Sequence, residues 1–465
     1  MGHYEIVPEP PCIISPMGVI PKPDGGIRLI HDCSRPSGLA VNDYCSTEWK
    51  QKFSTVDEAA ALVTKGCFMA KIDLKNAYRS VKLSKHSQNV TGLQWQFGKR
   101  IVYLRDTRLC FGSKLGPGIF HRLSQGVRRM LKRHGLTAVV VYLDDFFIKA
   151  DTFHDCMEAL NITISLLRKL GFSINWKKVV DPSTTITFLG IEIDSINMCL
   201  RLPEDKLVQV REELDRFQGR KRASKKQLQS LAGKLNFCAS VVYGGRVFSR
   251  RIIDTINRLK ADDHKVRLSG SIRADISWWQ SFMASFNGRS MLLDQQPISS
   301  VFTDSCDKAA GGIFNGDWFY FNWELDWPLV ANLHINSKEV LAVFLAVCRW
   351  APCWRNRRIC IQSDNMVTVA TINKGTSRNP FLMACLRLMF WLSATYNFHI
   401  KARHIPGFSN MVADSISRLH EPLKWTHVTP FISPSPLPLH LSQASFLFLL
   451  NRSSYQTEAC CIPGQ

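Results

Sequence analysis

Hydrophobic and polar positions follow two kinds of pattern along the first 200 residues. Short apolar runs of β-type residues occur in FMAKIDL, VVVYLDDFFIKA and ITFLGIEI, and each run predicts a strand. The segment HDCMEALNITISLLRKLGF has apolar residues at helical spacing and predicts an amphipathic helix. The alternation therefore predicts a mixed α and β domain over residues 1–200.

The pattern becomes helical after Pro203. A proline followed by an acid, here Glu204, is typical of a helix start, because acids favour the positive end of the helix dipole. Ser224 and Gln227 have the spacing of a capping box, and helical periodicity continues through ISWWQSFMASF. We expect three or four helices in residues 201–297.

A second mixed domain is predicted over residues 298–420. Its β-type runs are SVFTDS, WFYFNWE, RICIQSD and FHIKARHI, and the helical runs between them are SKEVLAVFLAVCRW and PFLMACLRLMFWLSATY. Residues 421–465 contain the spaced prolines of SPSPLPLH and follow no helix or strand period. This last segment is therefore a tail to which the pattern assigns no role.

Composition indicates a packed protein with a polyanionic partner. The 465 residues are 45% hydrophobic and 21% charged, which is typical of globular chains of several domains. There are 59 Lys and Arg against 38 Asp and Glu, and a formal charge of +21 favours nucleic acid because phosphate binding releases counterions. A general surface bias that serves solubility is the alternative.

The cysteines and the amino-terminal residues narrow the class further. The 15 cysteines include no CxxC pair, so their spacing predicts neither a zinc ribbon nor a disulfide framework. Residues 1–30 have no continuous apolar core, and nowhere do 18 apolar residues run together. We therefore expect an intracellular protein, cytoplasmic or nuclear, with no membrane partner.

A first set of acids lies at the ends of two predicted strands. Asp144 and Asp145 separate two apolar runs and are expected at the turn of a hairpin, while Asp73 ends another run. Hard divalent cations such as Mg²⁺ need carboxylates that converge from separate segments, so these three aspartates are candidate ligands for two ions in phosphoryl transfer. Aspartate as an ordinary turn residue is the alternative.

A second set of acids comes from four predicted elements of the later domain. Asp304 ends a strand, Glu339 lies near a helix start, Asp364 follows a strand and Asp414 lies in a helix. These four carboxylates are also candidate metal ligands. Taken singly, Glu339 is better explained as a capping partner for Asn336, and Asp414 as a solvated helix acid; only the four acids together favour a metal site.

Six motifs occur in the order and spacing of reverse transcriptase motifs. They are PKPDGGIRLIHD, KIDLKNAYRSVKL, CFGSKLGPGIFH, YLDDF, GFSINWKK and FLGIEI. The resemblance implies a right-hand polymerase with fingers, palm and thumb, which copies RNA into DNA. The chain departs from familiar viral enzymes at Leu143 and at Cys110.

The same resemblance implies roles for four residues around an incoming nucleotide. Lys22 and Arg28 match the fingers residues that grip the triphosphate. Tyr78 matches the position whose ring blocks a ribose 2′ hydroxyl and so selects deoxynucleotides. Phe111 matches a position that packs beside the nucleotide.

The later acids resemble a ribonuclease H set in order and spacing. That resemblance implies an α/β ribonuclease H-like domain in which Asp304, Glu339, Asp364 and Asp414 bind two Mg²⁺ ions and cleave the RNA strand of a hybrid. Mn²⁺ is a possible substitute ion at both sites. His404 matches a mobile histidine that acts as a proton carrier or aids product release.

The combination of the two resemblances indicates a retroelement polyprotein. It implies four partners, namely an RNA template, a DNA primer, an RNA–DNA hybrid and deoxynucleoside triphosphates. Residues 1–200 would be fingers and palm, 201–297 thumb and connection, and 298–420 the ribonuclease H-like domain. Basic runs such as GRKRASKK would then lie close to the duplex backbone.

The segment SPMGVIPKPDGGIRLIHDCSRPSGLAVNDY looks closest to the tyrosine-recombinase, or DIRS-like, retrotransposons. A long-terminal-repeat element is the alternative lineage. A different class of interpretation is a catalytically inactive relic that only binds nucleic acid. The seven carboxylates favour an enzyme over that relic.

Overall fold

The computed structural model describes residues 3–21, 25–46, 51–242, 245–285, 288–291 and 297–421. The chain divides into two compact units, residues 1–198 and residues 199–465. Both units mix helices with sheets. In the part of the chain that the structure describes, we find no helix that is long and apolar enough to cross a membrane.

The first unit is built mainly of antiparallel strands. Its strands are Tyr4–Val7, Met17–Pro21, Ile27–His31, Phe68–Asp73, Gly92–Phe97, Arg100–Asp106, Val139–Tyr142, Asp145–Ala150, Val180–Ser183, Thr185–Phe188 and Ile191–Asp194. Its α-helices are Val56–Ala60, Lys85–Gln88, Gly116–Arg133 and Phe153–Lys169. Short 3₁₀ turns are Val41–Tyr44, Ala77–Ser80 and Trp176–Lys178.

A four-stranded antiparallel sheet carries the first set of acids. Its strands lie in the order Val139–Tyr142, Asp145–Ala150, Phe68–Asp73 and Val180–Ser183. The two long helices of the unit pack against it through a common apolar core. That core includes Ile72, Phe120, Leu131, Val141, Phe146, Leu160 and Leu167. Because successive side chains of a strand point to opposite faces, one face of this sheet packs on the core. The strand ends meet at one edge of the sheet.

The second unit begins with the expected helical region and ends with a larger sheet. Its strands are Cys199–Arg201, Arg222–Ser224, Lys265–Arg267, Arg289–Ser290, Ile298–Ser305, Ala309–Phe314, Asp317–Asn322, Arg358–Ser363 and His399–His404. Its α-helices are Glu204–Gln218, Lys225–Cys238, Arg250–Arg258, Gly270–Ser285, Trp323–Asp326, Ile335–Trp350, Met366–Lys374, Pro380–Tyr396 and Met411–Ser417. Short 3₁₀ turns are Gly245–Ser249, Pro328–Val330, Ala351–Trp354 and Gly407–Ser409.

The helical region agrees with its predicted pattern. Among the described residues, four α-helices lie between Glu204 and Ser285, within the expected three or four. Ser224 accepts a hydrogen bond from the Gln227 backbone N–H, and the Gln227 side chain accepts one from the Ser224 N–H, so the predicted capping box is confirmed. A two-stranded antiparallel ribbon, formed by Arg222–Ser224 and Lys265–Arg267, lies between these helices and was not predicted from the hydrophobic pattern.

The five-stranded sheet of the second unit has mixed strand directions. Its order is Asp317–Asn322, Ala309–Phe314, Ile298–Ser305, Arg358–Ser363 and His399–His404, with the last three strands parallel. Helix Ile335–Trp350 packs on this sheet and against helix Pro380–Tyr396. Its residues from Val340 to Val347 are all fully buried. A helix that is apolar on every side is stable only when protein surrounds it, as here.

The expected strand WFYFNWE ends earlier than its apolar pattern suggests. Strand Asp317–Asn322 stops where the Asn322 side chain accepts hydrogen bonds from the backbone N–H groups of Glu324 and Leu325. These bonds cap the short helix Trp323–Asp326. A capping side chain therefore overrides the β preference of the aromatic residue that follows it.

The helical region packs tightly against the later sheet domain within the second unit. Trp278 stacks on Phe248 at a ring-centroid distance of 3.6 Å, and both rings lie edge-on to Phe390 at 5.5 Å. Phe390 belongs to helix Pro380–Tyr396. Aromatic contacts at this distance contribute beyond their buried area, so the two parts of this unit are joined by a packed apolar contact.

A buried ion cluster lies beside that aromatic contact. The Asp275 carboxylate accepts a hydrogen bond from Arg251 at 3.0 Å and lies 3.8 Å from the Arg387 guanidinium. Only 1% of Asp275 and 5% of Arg387 is exposed. Burial raises the pKa of Asp275 to about 6, although both arginines act in the opposite direction. Asp275 is thus the counter-charge on which the buried Arg387 depends.

We predict that Asp275→Ala lowers the free energy of unfolding by about 3–5 kcal/mol, because it leaves a buried guanidinium without a counter-charge. Urea denaturation measures the change. The exposed pair of Glu212 and Arg216 supplies the control, since Glu212→Ala should cost less than about 1 kcal/mol. Replacing Asp275 and Arg387 together by Leu and Met should recover most of the loss. Equal losses in Asp275→Ala and Glu212→Ala would show that the cluster is dispensable.

Candidate active sites

The hairpin that carries Asp144 and Asp145 has a two-residue turn. Strand Val139–Tyr142 is followed by Leu143 and Asp144, and Asp145 already pairs with Tyr142 as the first residue of the next strand. Leu143 has φ +52°, a backbone conformation that two-residue hairpin turns require. Only one of the two acids therefore lies in the turn, whereas both were expected there.

The three acids meet at one edge of the four-stranded sheet. Asp73 ends its strand directly opposite Asp145 in the antiparallel register. The Leu74 backbone N–H donates to the Asp144 carbonyl oxygen at 3.1 Å, which ties the hairpin turn to the end of the Asp73 strand. The structure thus places all three acids of the first set at one edge of the sheet, although their ligand atoms do not all lie within 4.8 Å of one another.

Asp73 is held by two residues that the sequence analysis did not select. The Asn175 side-chain amide donates to Asp73 Oδ1 at 2.9 Å, and Lys178 Nζ donates to Oδ2 at 3.2 Å. The Asn175 backbone N–H also donates to the Asp73 carbonyl oxygen at 2.8 Å. Both partners lie in the GFSINWKK motif. Their position as polar residues within this motif was the feature of the sequence that could have indicated them.

Burial sets the electrostatics of this edge. It raises the pKa of Asp145 to about 6, and the carboxylates of Asp144 and Asp73 act in the same direction, while Lys71 partly offsets them. Burial also raises the pKa of Tyr78 to about 12, with Asp144 as the next cause. Carboxylates this close in a shielded place favour a positive charge between them.

A cleft of about 930 Å³ opens over these acids. Its lining includes Asp73, Tyr78, Phe111, Asp144, Asn175 and Lys178. The Tyr78 and Phe111 rings meet edge to face at 5.0 Å, so the two residues assigned to nucleotide binding form one wall. Strand Ile27–His31 also lines the cleft through its residues 27, 29 and 31.

Two other residues assigned to nucleotide binding are less fully described. Lys22 lies outside the described residues. Arg28 lies within strand Ile27–His31, where its backbone is paired with Ile20, and its side chain lies outside the description. Their roles remain predictions.

The second set of acids gathers at the end of parallel strands. Asp304 lies near the end of strand Ile298–Ser305, and Asp364 directly follows the parallel strand Arg358–Ser363. Glu339 reaches the same place from a helix, and ligand atoms of these three carboxylates lie within 4.8 Å of one another. Within the described residues, no other group of three or more His, Cys, Asp or Glu side chains has its ligand atoms within 4.8 Å of one another.

Asp304 is buried and held by two residues from the carboxyl-terminal end of the domain. Ser417 Oγ donates to Asp304 Oδ2 at 2.7 Å, and the Asn410 amide lies 3.5 Å from Oδ1 while donating to the Thr303 carbonyl oxygen at 3.1 Å. Burial raises the pKa of Asp304 to about 7, and the Ser417 hydroxyl partly offsets this. Neither partner was predicted from the sequence, and their place within the NMVADSIS segment was the only signal for them.

Glu339 is buried with one carboxylate oxygen that has no hydrogen-bond partner in the described structure. Burial raises the pKa of Glu339 to about 9, and Asp304 and Asp364 act in the same direction. The alternative capping role is not observed, because His334 Nδ1 accepts the hydrogen bond from the Asn336 backbone N–H at the helix start. The unpartnered oxygen points to a ligand role instead.

Asp414 and His404 lie around the triad. Asp414 is half-buried in helix Met411–Ser417 and accepts a hydrogen bond from Arg418 Nε at 2.8 Å. It belongs to the same edge without being one of the three closest carboxylates. His404 is exposed at the end of its strand, with Nε2 3.1 Å from the Asp364 carbonyl oxygen. All four predicted acids and the histidine thus lie near the same end of the parallel strands.

The donor chemistry of the second set fits a hard divalent cation. All its candidate ligand atoms are carboxylate oxygens, as Mg²⁺ prefers, and the unpartnered Glu339 oxygen lacks a proton donor. In the first set, the Lys178 ammonium already neutralises part of the charge on Asp73. The donor groups of the first set are also carboxylates, and those of Asp144 and Asp73 both raise the pKa of Asp145, so the chemistry of the set suits a cation.

Comparison with known proteins identifies the first part of the chain. Residues 20–193 match the family described as reverse transcriptase (RNA-dependent DNA polymerase). The enzymatic polyprotein of figwort mosaic virus (strain DxS) is 22% identical over 388 residues, which are 78% of this chain and 52% of that protein. The Tf2-3 transposon polyprotein of Schizosaccharomyces pombe is 19% identical over 428 residues, 87% of this chain and 29% of that protein.

The chain thus spans about half or less of these two curated relatives. A solved foamy viral protease–reverse transcriptase, in complex with double-stranded DNA, has a similar fold with a TM-score of 0.55 and 16% identity. The match covers 87% of this chain and 67% of that one. The predicted fold class, a mixed helix and sheet chain of several domains, is confirmed, and the structure is consistent with a polymerase followed by a ribonuclease H-like domain. The chain therefore contains a reverse transcriptase domain and has its homologues among viral and retroelement polyproteins.

Proposed function

We propose that this chain is an RNA-directed DNA polymerase with ribonuclease H activity, which copies retroelement RNA into DNA and degrades the RNA of the hybrid. The observation that carries the proposal is the presence of two acidic clusters, one in each compact unit. Each cluster lies where strands end at a sheet edge. Two separate clusters support two separate reactions on phosphodiester bonds.

The proposed metal ligands are Asp73, Asp144 and Asp145 in the polymerase site and Asp304, Glu339, Asp364 and Asp414 in the nuclease site. Two Mg²⁺ ions per site, or Mn²⁺ in their place, would activate the attacking hydroxyl or water and neutralise the leaving oxygen. Asn175 and Lys178 would hold the Asp73 carboxylate in place. Ser417 and Asn410 would do the same for Asp304.

The wall formed by Tyr78 and Phe111 supports nucleotide selection in the proposed polymerase site. Tyr78 lines the same cleft as Asp73 and Asp144, and its edge-to-face contact with Phe111 limits the movement of its ring. A fixed ring beside the acids would meet a ribose 2′ hydroxyl and leave room for a deoxyribose. Lys22 and Arg28 remain the proposed contacts to the triphosphate.

His404 is proposed to assist the nuclease reaction. It is exposed beside Asp364, and an imidazole can exchange protons near neutral pH. A proton carrier or an aid to product release would need this access to solvent. Its ring contacts the backbone of Asp364 and leaves the carboxylate of that residue available to a metal ion.

The proposed partners are an RNA template, a DNA primer, their hybrid and deoxynucleoside triphosphates. The formal charge of +21 favours such polyanions. The foamy viral protein of similar fold was solved with double-stranded DNA, which supports a duplex ligand. We retain the proposed division into residues 1–200, 201–297 and 298–420, and the tail after residue 421 lies outside the described residues.

The DIRS-like lineage also remains a proposal. It depends on the resemblance of residues 15–44. The named curated relatives are a plant-virus polyprotein and a transposon polyprotein, and neither name assigns this chain to tyrosine-recombinase elements. A recombinase reading frame beside the gene would support that lineage, whereas an integrase frame would favour a long-terminal-repeat element.

We predict that Asp144→Asn lowers primer extension about a thousandfold, because a lost metal ligand removes several kcal/mol of transition-state stabilisation. Hybrid cleavage should stay near the wild-type rate. Extension of a labelled DNA primer on RNA measures the first activity, and release of labelled RNA fragments measures the second. The exposed Asp181 in the same unit supplies the control Asp181→Asn, which should retain both activities. Wild-type extension by Asp144→Asn would refute the site.

The reciprocal prediction is that Asp364→Asn stops hybrid cleavage and permits primer extension on the same template. The reason is that Asp364 belongs to the second cluster, in the other compact unit. Glu324→Gln, at an exposed position of the second unit, is the control. Loss of extension with continued cleavage would reverse the domain assignment. A wild-type chain that binds hybrid but lacks both activities would establish the inactive relic.

Ser417→Ala should weaken Mn²⁺ binding to the second cluster about tenfold or more, because the hydrogen bond from the Ser417 hydroxyl orients the Asp304 carboxylate. Isothermal titration with Mn²⁺ measures the effect, in protein that also carries Asp144→Asn to remove the other site. Ser415 lies on the same helix and is buried, and among the described residues no hydrogen bond joins it to Asp304, so Ser415→Ala is the matched control. Equal weakening in both variants would mean that the helix, and not the Ser417 hydroxyl, supports the site.

A further inference from the structure

A single buried carboxylate, that of Asp106, has partners in three segments of the first unit. Asp106 ends strand Arg100–Asp106 and is fully buried. The Arg79 guanidinium donates a hydrogen bond to its Oδ2 atom, and His31 Nε2 lies 3.4 Å from the same oxygen. The Arg108 backbone N–H donates to Oδ1 at 2.9 Å. One carboxylate therefore connects the ends of three segments.

Two of these partners adjoin residues that were assigned to the incoming nucleotide. Arg79 follows Tyr78 in the short turn Ala77–Ser80, and His31 is the last residue of the strand that carries Arg28. Arg79 and His31 also line the same cleft as Tyr78. Because the carboxylate itself is buried, it can influence a nucleotide in the cleft only through neighbours such as these.

The third segment leads from Arg108 to Phe111 and is tied to the other two. Arg108 Nη1 donates to the Ser80 carbonyl oxygen at 3.2 Å, and the His31 backbone N–H donates to the Phe111 carbonyl oxygen at 2.9 Å. At Gly112 the chain passes so close to the strand end that a Cβ atom would lie 1.8 Å from the His31 carbonyl oxygen. The two rings of the cleft wall are thus carried by segments that meet at one carboxylate.

The contact between Asp106 and Arg79 is strong and directional. A hydrogen bond between a guanidinium and a carboxylate is charge-assisted, and here both side chains are largely shielded from water. The Arg79 guanidinium also lies over the Tyr4 ring, 5.2 Å from its centroid. Its Nη2 atom is buried without a hydrogen-bond partner in the described structure. The bond from Nη1 to Asp106 therefore fixes the orientation of the guanidinium.

The position of the Tyr78 ring depends on the turn that carries it. Ala77–Ser80 is a single 3₁₀ turn, which has few hydrogen bonds of its own, so contacts from outside must hold it. The ring packs edge to face on Phe111 at 5.0 Å and on Phe120 at 5.5 Å. A ring that excludes one oxygen atom must be placed accurately, because a misplacement of about 1 Å can cost roughly a hundredfold.

We propose that Asp106 is a positioning residue for nucleotide selection, which sets the place of the Tyr78 ring through its hydrogen bond with Arg79. This role rests on the proposed function, which supplies the polymerase reaction and the task of Tyr78. The carboxylate acts from behind the cleft wall, so its removal should change the choice between deoxynucleotides and ribonucleotides more than it changes the reaction itself.

A buried ion pair that serves stability alone is the alternative. Loss of such a pair lowers the fraction of folded enzyme. The rates with both kinds of nucleotide then fall by the same factor, and neither KM changes. Loss of positioning instead alters the ratio of kcat/KM for a deoxynucleotide to kcat/KM for the matching ribonucleotide. This ratio, the discrimination, does not depend on how much of the enzyme is folded.

The test measures kcat and KM for insertion of dATP and of ATP by the full chain on one primer and template. Asp106→Asn should lower the discrimination about tenfold or more and raise the KM for dATP. The control is Glu5→Gln, which removes a carboxylate from the neighbouring pair of Glu5 and Arg105 on the same sheet. It should keep the wild-type discrimination.

A double variant separates positioning from stability and serves where Asp106→Asn folds poorly. Asp106→Leu with Arg79→Met removes both charges, so its melting temperature should lie close to that of the wild type. An apolar contact has no preferred direction like that of the hydrogen bond, so the double variant should discriminate as poorly as Asp106→Asn. Wild-type discrimination in the double variant would overturn the proposal.

Tyr78→Val shows whether Asp106 acts through the ring. Once that ring is removed, adding Asp106→Asn should lower the discrimination no further, whereas a further loss of similar size would mean that Asp106 acts by another route and would overturn the proposal. If Tyr78→Val discriminates like the wild type, the proposed task of Tyr78 fails and the role of Asp106 fails with it. If Tyr78→Val loses discrimination and both Asp106 variants keep it, the role of Asp106 alone is refuted.

Discussion

Repulsion among carboxylates that the fold buries side by side is the constraint on which both candidate sites depend. Burial is the largest cause of the raised pKa values of Asp145, Asp304 and Glu339, and neighbouring carboxylates add to it in each case. Such groups stay together only when the surrounding protein holds them. Lys178 and Ser417 supply part of that support, and a divalent cation would supply the remainder.

The two units reach the same arrangement with different strand topologies. In the reverse transcriptase domain, an antiparallel register sets Asp73 opposite Asp145. In the second unit, two parallel strands bring Asp304 and Asp364 to the same edge, and Glu339 comes from a buried helix. In both units, strands and helices hold the acids that lie at the strand ends. Rigid elements keep ligand positions more accurately than loops do.

Charged side chains outside the candidate sites show how burial changes what a charged group does. Asp275 stabilises a buried guanidinium between the helical region and the later sheet, where losing one partner is costly. Arg222 and Arg267 lie exposed and opposed, where their repulsion is small enough for the fold to tolerate. Burial therefore decides whether a charged side chain must have a partner.

Features that depend on residues close together in the chain could be predicted without the structure. Periodicity predicted the strands that end near Asp73 and Asp304, and the capping box at Ser224 follows from residues three apart. The contact of Ser417 with Asp304, 113 residues away, and the register that sets Arg222 opposite Arg267 are known only from the folded chain. Strand alternation and helix caps are local, whereas these contacts depend on how distant elements pack, which no short stretch of sequence specifies.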